Sequence, residues 1–138
     1  MGTQYTRISF SFREGYEHLA LSHAFCKIWL QDGVQGEGEI FKILRITDEI
    51  IALRCLGKEK KYFLSHKGGQ VKLEYGNCAE SEHWILKDQG DKCSLHALGK
   101  ESGKFLSHSS NNVSLSEGIK GDGELWIKMI HTYNHYYR

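Results

Sequence analysis

The sequence predicts an all-β fold made of one four-stranded unit copied three times, and three observations predict it. Leu21-Ser22-His23, Leu64-Ser65-His66 and Leu106-Ser107-His108 follow one another at steps of 43 and 42 residues. Glu39-Ile40-Phe41, Glu82-His83-Trp84 and Glu124-Leu125-Trp126 keep the same two steps. Two markers in register require a repeated structural unit. Between the markers, apolar and polar residues alternate with the period of two that a half-buried strand needs. The 138 residues contain no proline, and no segment carries a long helical period.

The first strand of each copy is expected over Ile8/Ile51/Cys93, Phe10/Leu53/Leu95 and Phe12/Cys55/Ala97, alternating with Ser9, Arg54, Ser94 and His96. Charged, glycine-bearing turns follow at Arg13-Glu14-Gly15, Gly57-Lys58-Glu59 and Gly99-Lys100-Glu101. The second strand ends in Leu-Ser-His. Short polar loops such as Lys67-Gly68-Gly69-Gln70 and Ser109-Ser110-Asn111-Asn112 lead to a third strand at Ile28-Trp29-Leu30, Val71-Lys72-Leu73 and Val113-Ser114-Leu115. The fourth holds Phe41-Lys42-Ile43, Trp84-Ile85-Leu86 and Trp126-Ile127-Lys128, where Lys128 breaks the apolar pattern.

One such unit cannot bury its apolar face alone. Three together close a six-stranded barrel capped by three hairpins, which is a β-trefoil, and closure removes the sheet edges that aggregate. The expectation is a single domain over 1–138, with repeats of about 5–49, 50–92 and 93–138. Phe10/Leu53/Leu95, Leu21/Leu64/Leu106, Leu30/Leu73/Leu115 and Phe41/Trp84/Trp126 are its expected core layers.

Composition narrows function. Eighteen basic and seventeen acidic side chains leave a net charge of +1, which gives no permanent basic field for nucleic acid or heparin. Full protonation of the eight histidines would raise the net charge to +9. No apolar run reaches a membrane-spanning length, and no secretory leader is read at the N-terminus, so a cytoplasmic protein with free thiols at Cys26, Cys55, Cys78 and Cys93 is expected. The sequon Asn112-Val113-Ser114 should then stay unmodified.

The phrases Lys61-Tyr62-Phe63-Leu64-Ser65 and Gly103-Lys104-Phe105-Leu106-Ser107, each followed by V-x-L and then E-x-W, resemble the repeats of the fascin and hisactophilin group of trefoils. The likeness runs from about Tyr5 to Ile130. It implies a cytosolic protein that binds actin, in one branch as a lone trefoil carrying an N-terminal lipid. Ricin-type lectins carry a Gln-x-Trp at the same place, where this chain has Glu82, Glu124 and Phe41. The stretch from Leu56 to Ser65 also resembles a segment of interleukin-1 cytokines, and growth-factor trefoils bring a basic face that is missing here.

His23, His66 and His108 are the leading candidate residues. Three readings stay open: each imidazole bonds backbone groups at a hairpin, or together they form a protonation-sensitive surface, or they converge on a metal as zinc-binding histidines do. No metal and no cofactor is expected. Glu39, Glu82 and Glu124 recur at a strand start, which suggests a repeated structural hydrogen bond. Met1-Gly2-Thr3-Gln4-Tyr5-Thr6 fits the pattern for myristoylation of Gly2. One acyl chain gives marginal membrane binding, to which anionic lipid could contribute.

Gly99-Lys100-Glu101-Ser102-Gly103-Lys104 lacks the spacing, the hydroxyl residue and the helix of a phosphate loop. His131 and His135 lie in an aromatic tail rather than on a helix. No complete catalytic set is present, so an enzyme is not expected.

The function expected from the sequence is a non-enzymatic binding module. Its partner would be actin or another acidic surface. Contact would run through Lys58, Lys60, Lys61, Lys67, Lys100 and Lys104, strengthened when histidines protonate and screened by salt. The alternative is a carbohydrate-binding trefoil with three related shallow pockets, and after that a cytokine-like ligand.

Overall fold

In the computed structural model the described residues are 6–34, 36–57, 60–76, 78–109, 112–119 and 121–131. They form β1 (Arg7–Glu14), β2 (Glu17–Ala24), β3 (Lys27–Asp32), β4 (Phe41–Arg45), β5 (Ile50–Cys55) and β6 (Tyr62–Ser65). Then come β7 (Lys72–Tyr75), β8 (His83–Gln89), β9 (Lys92–Ala97), β10 (Lys104–Ser109), β11 (Asn112–Glu117) and β12 (Ile127–His131). The twelve expected strands are therefore found, with Val71 just ahead of β7 and Trp126, which bridges Cys93, just ahead of β12.

Antiparallel pairing runs from β1 to β4, β4 to β5, β5 to β8 and β8 to β9. A bridge between Cys93 and Trp126 and the β1–β12 pair close the ring. That ring is the six-stranded barrel. The hairpins β2–β3, β6–β7 and β10–β11 hang from β1, β5 and β9. The fold is a β-trefoil, and the closing pair Ile8 with Ile130 joins the first strand to the last.

The barrel interior holds the predicted layers. Phe10, Leu53, Leu95, Leu21, Leu64, Leu106, Phe41, Trp84 and Trp126 are completely buried. Burial of each contributes roughly 1.5–3 kcal/mol before chain entropy is counted. The third layer is shallower than expected. Leu73 is buried, but Leu30 and Leu115 are only partly covered, because β3 and β11 lie in the hairpin cap, at the margin of the core. Lys128, at the position of Ile43 and Leu86, turns its ammonium to Asp88 at 2.7 Å, and its side chain is one-third exposed.

A short 3-10 turn precedes the fourth strand of each repeat, at Glu37–Glu39, Glu80–Glu82 and Asp122–Glu124. These turns carry the recurring glutamate into the protein. They also stand at the junctions between repeats, where the candidate site is found.

Candidate functional site

The site grows out of a hydrogen-bonded cluster that the sequence writes three times. Ser22, Ser65 and Ser107 donate to Glu39, Glu82 and Glu124 at 2.8, 2.7 and 2.9 Å. The other carboxyl oxygen of each glutamate accepts the backbone N–H of Gly36, Ala79 or Gly121 at 3.0, 3.0 and 3.2 Å. A buried polar group persists only where such partners are supplied. The repeated structural hydrogen bond expected of these glutamates is present, and it ties the hairpin to the turn ahead of the next strand.

The histidines beside the serines do the same work. Nε2 of His23, His66 and His108 lies 3.0, 2.9 and 3.0 Å from the carbonyl oxygens of Ile40, His83 and Leu125. A carbonyl only accepts, so Nε2 is the protonated nitrogen of each neutral ring. Each imidazole also meets an aromatic edge-on, Phe41, Trp84 or Trp126, at centroid distances of 5.0, 4.8 and 4.7 Å.

One expectation is corrected here. His23 and His66 are 1% exposed, so they form no accessible protonation-sensitive surface. His108 is partly exposed, yet burial pushes its imidazole below the ordinary value against the opposing pull of the Leu125 carbonyl, Glu14 and Glu124. Nor do the rings converge on a metal. Each turns to its own repeat, and no group of His, Cys, Asp and Glu able to hold an ion occurs among the described residues.

Beside His66 and His108 the 3-10 turn of one repeat faces the strand connection of the next, and an opening lies between them. At the junction of the second and third repeats it encloses about 280 Å³. His66, Ala79, Glu80 and Ser81 belong to one wall, and Leu98, Gly99 and Glu101 to the other. Gly99 is required there. Its φ is +75°, and a Cβ would lie 2.8 Å from the Glu80 carboxylate. Gly57 repeats the arrangement against Glu37, with φ +75° and 3.0 Å. At the junction of the third and first repeats, Arg13, Glu14, His108 and Asp122 line an opening of about 350 Å³.

The predicted lysines are dispersed. Lys67 and Lys100 are exposed and flank the 280 Å³ groove from opposite sides. Lys60 and Lys61 are exposed on the connection before β6. Lys104 is partly buried and engaged by Glu101 at 2.8 Å, which raises its ammonium above the usual lysine value. Lys58, Gly2 and His135 lie outside the described residues. The groove's acidic groups were missed from the sequence, although Glu37-Gly38-Glu39, Glu80-Ser81-Glu82 and Asp122-Gly123-Glu124 recur in register with the other markers.

Solved structures share this fold. One, described as BEL beta-trefoil, aligns over 95% of this chain and 97% of its own, with a TM-score of 0.72 and 14% identity. SeviL bound to asialo-GM1 saccharide gives a TM-score of 0.70 and 14% identity over 92% of this chain and 98% of its own. Polyporus squamosus lectin, bound to a human-type influenza-binding epitope, gives 0.69 and 15% over 93% of this chain and 49% of its own. No protein-family model and no curated protein sequence matches the chain.

Proposed function

We propose that this protein is a non-enzymatic carbohydrate-binding β-trefoil whose ligands enter the grooves between its repeats. The observation that carries this reading is the groove of about 280 Å³ between the turn at Glu80–Glu82 and the connection at Leu98–Glu101. Its rim alternates cations and carboxylates, Lys67 and Lys100 with Glu80 and Glu101. A sugar hydroxyl both donates and accepts, so such a rim suits a neutral polyhydroxylated ligand.

Two of the fold's neighbours are named for glycans that they bind, which supports the same reading. The charge arrangement disfavours the electrostatic alternative that the fascin-like phrases imply. Lys104 is matched by Glu101, and Lys67 and Lys100 share their groove with two carboxylates.

Glycan-array binding by the purified protein tests the proposal, repeated at about 1 M salt, where the screening length falls to about 3 Å. Retention of signal at high salt is the expected result. No glycan signal, together with salt-sensitive co-sedimentation with filamentous actin, would overturn it in favour of the cytoskeletal reading.

A further inference from the structure

The three junctions are built alike, but their histidines are not covered alike. Phe12 lies flat on His108, with centroids 3.5 Å apart and planes 6° from parallel. The corresponding position is Cys55 at the first junction and Ala97 at the second. The smallest of the three side chains thus falls beside His66, where the 280 Å³ groove opens.

The same histidine carries an unanswered polar atom. Its Nε2 is committed to the His83 carbonyl, so Nδ1 holds a lone pair, and this buried nitrogen has no hydrogen-bond partner. Neither His23 nor His108 has such an orphan; His108 is bonded to the Asp122 backbone as well as to Leu125. An acceptor buried without a partner is destabilising until a donor arrives. His66 lines the groove, and because its Nδ1 is not exposed there, a ligand hydroxyl supplies that donor as the groove rim yields to let it in.

We infer that the groove between the second and third repeats is the principal ligand site, and that His66 Nδ1 accepts a hydrogen bond from a ligand hydroxyl. The inference rests on the carbohydrate reading and adds the site, the atom and the ligand's extent. A groove of about 280 Å³ lies at the small end of ligand pockets, about 300–1,000 Å³, so it takes a terminal sugar ring and not the length of a chain. Glu80 and Glu101 would accept further hydroxyls, while Lys67 and Lys100 would donate from the rim.

The test uses three matched substitutions on the rims: Ala79→Trp, Gly36→Trp and Gly121→Trp. These positions correspond in the three repeats. The two glycines have extended backbones, and a Cβ there meets nothing within 4 Å. Each variant is checked for folding by circular dichroism, and affinity is measured for the strongest glycan on the array.

In parallel, ring-nitrogen NMR follows the histidines of the wild-type protein during titration with galactose, N-acetylgalactosamine, mannose and, separately, glycerol. Ala79→Trp should weaken glycan binding by about tenfold or more, and the other two by less than about twofold. The sugar should shift the His66 Nδ1 resonance and leave the ring signals of His23 and His108 in place.

Glycan binding that Ala79→Trp does not weaken, or that leaves His66 Nδ1 unmoved, would overturn the inference and leave the carbohydrate reading standing. A glycerol shift at His66 Nδ1 alone, with no glycan bound, would keep the site and remove the carbohydrate reading. No glycan binding on the array, together with no shift with either probe class, would overturn both.

Discussion

Phe12 and His108 stack face to face across the seam between the first and third repeats, 3.5 Å between centroids. The contact places an imidazole against an apolar ring, where the neutral form is favoured. Burial is the leading cause of the lowered His108 value, and the Glu14 and Glu124 carboxylates only partly oppose it.

A pH dependence follows. A histidine held below its unfolded value of about 6.5 binds fewer protons folded than unfolded. Its contribution to stability is complete above that value and is lost as the pH falls toward the folded one. His96 acts in the same direction: burial, then Lys87, lowers it, and its Nε2 accepts the Gly103 N–H at 2.9 Å, a bond that protonation removes. Urea midpoints should therefore be level above about pH 6.5 and decline below it. His108→Gln should flatten part of that decline. Rising stability on acidification would contradict the account.

The glutamate clusters predict a ranking. Ser65→Ala removes one donor from Glu82 and leaves Ser81 Oγ at 2.7 Å, so a loss of about 1 kcal/mol is expected. Glu82→Ala removes a buried carboxylate that accepts from the Ser65 and Ser81 hydroxyls and the Ala79 N–H together, and about 3 kcal/mol is expected from the lost bonds and the cavity. Chemical denaturation of the two variants checks the order. Equal losses would mean that the turn does not depend on its glutamate.

Much of this was legible in the sequence because symmetry repeats a signal. Leu21, Leu64 and Leu106 recur with Phe41, Trp84 and Trp126, so the barrel and its register could be read without a structure. The site was read less well because it lies where the symmetry breaks. Phe12, Cys55 and Ala97 look interchangeable as strand residues, but only Phe12 supplies a ring that stacks on the histidine of the preceding junction. His66 and His108 share a motif, but only the neighbouring repeat determines how far each is covered. Lysine counts misled for a related reason: Lys104 is an exposed charge in the sequence and a partner of Glu101 in the fold.

Thiol reactivity should follow burial. Cys93 is completely buried and its thiol is pushed up to about 12, chiefly by desolvation, with Asp88 adding and Lys128 opposing. Cys55 is 1% exposed, Cys78 is half-buried with a raised value, and Cys26 is exposed. Iodoacetamide under native conditions should label Cys26 first and Cys78 slowly, and should reach Cys55 and Cys93 only after unfolding, because the thiolate is the reactive form. Peptide mass spectrometry reads the order. Early labelling of Cys93 would mean that the β9–β12 seam opens.

Lys128 offers a substitution toward the symmetric pattern. Its bond to Asp88 is short, but both groups are partly exposed, and such pairs contribute about 0–1 kcal/mol. Lys128→Leu restores the apolar residue found at Ile43 and Leu86 and covers the barrel end. The expected change in thermal midpoint is small and upward. A large fall would show that the ion pair holds β12 to the barrel.

The tip of the first hairpin carries the remaining prediction. Ala24 pairs with Lys27, so Phe25 and Cys26 form a two-residue turn, and their φ values are +50° and +62°. Both central residues of a type I′ turn need this left-handed conformation, which Asn-Gly adopts readily and a bulky side chain does not. The second repeat has Gly68 and Gly69 at the matching positions. Phe25 is 84% exposed, so little burial is lost when it is replaced. The double variant Phe25→Asn, Cys26→Gly should therefore gain about 1–2 kcal/mol in urea denaturation, most of it from relieved backbone strain. A loss of stability would show that the contacts Phe25 does make outweigh the strain of its backbone. A gain with unchanged glycan binding would separate this tip from the groove beside His66.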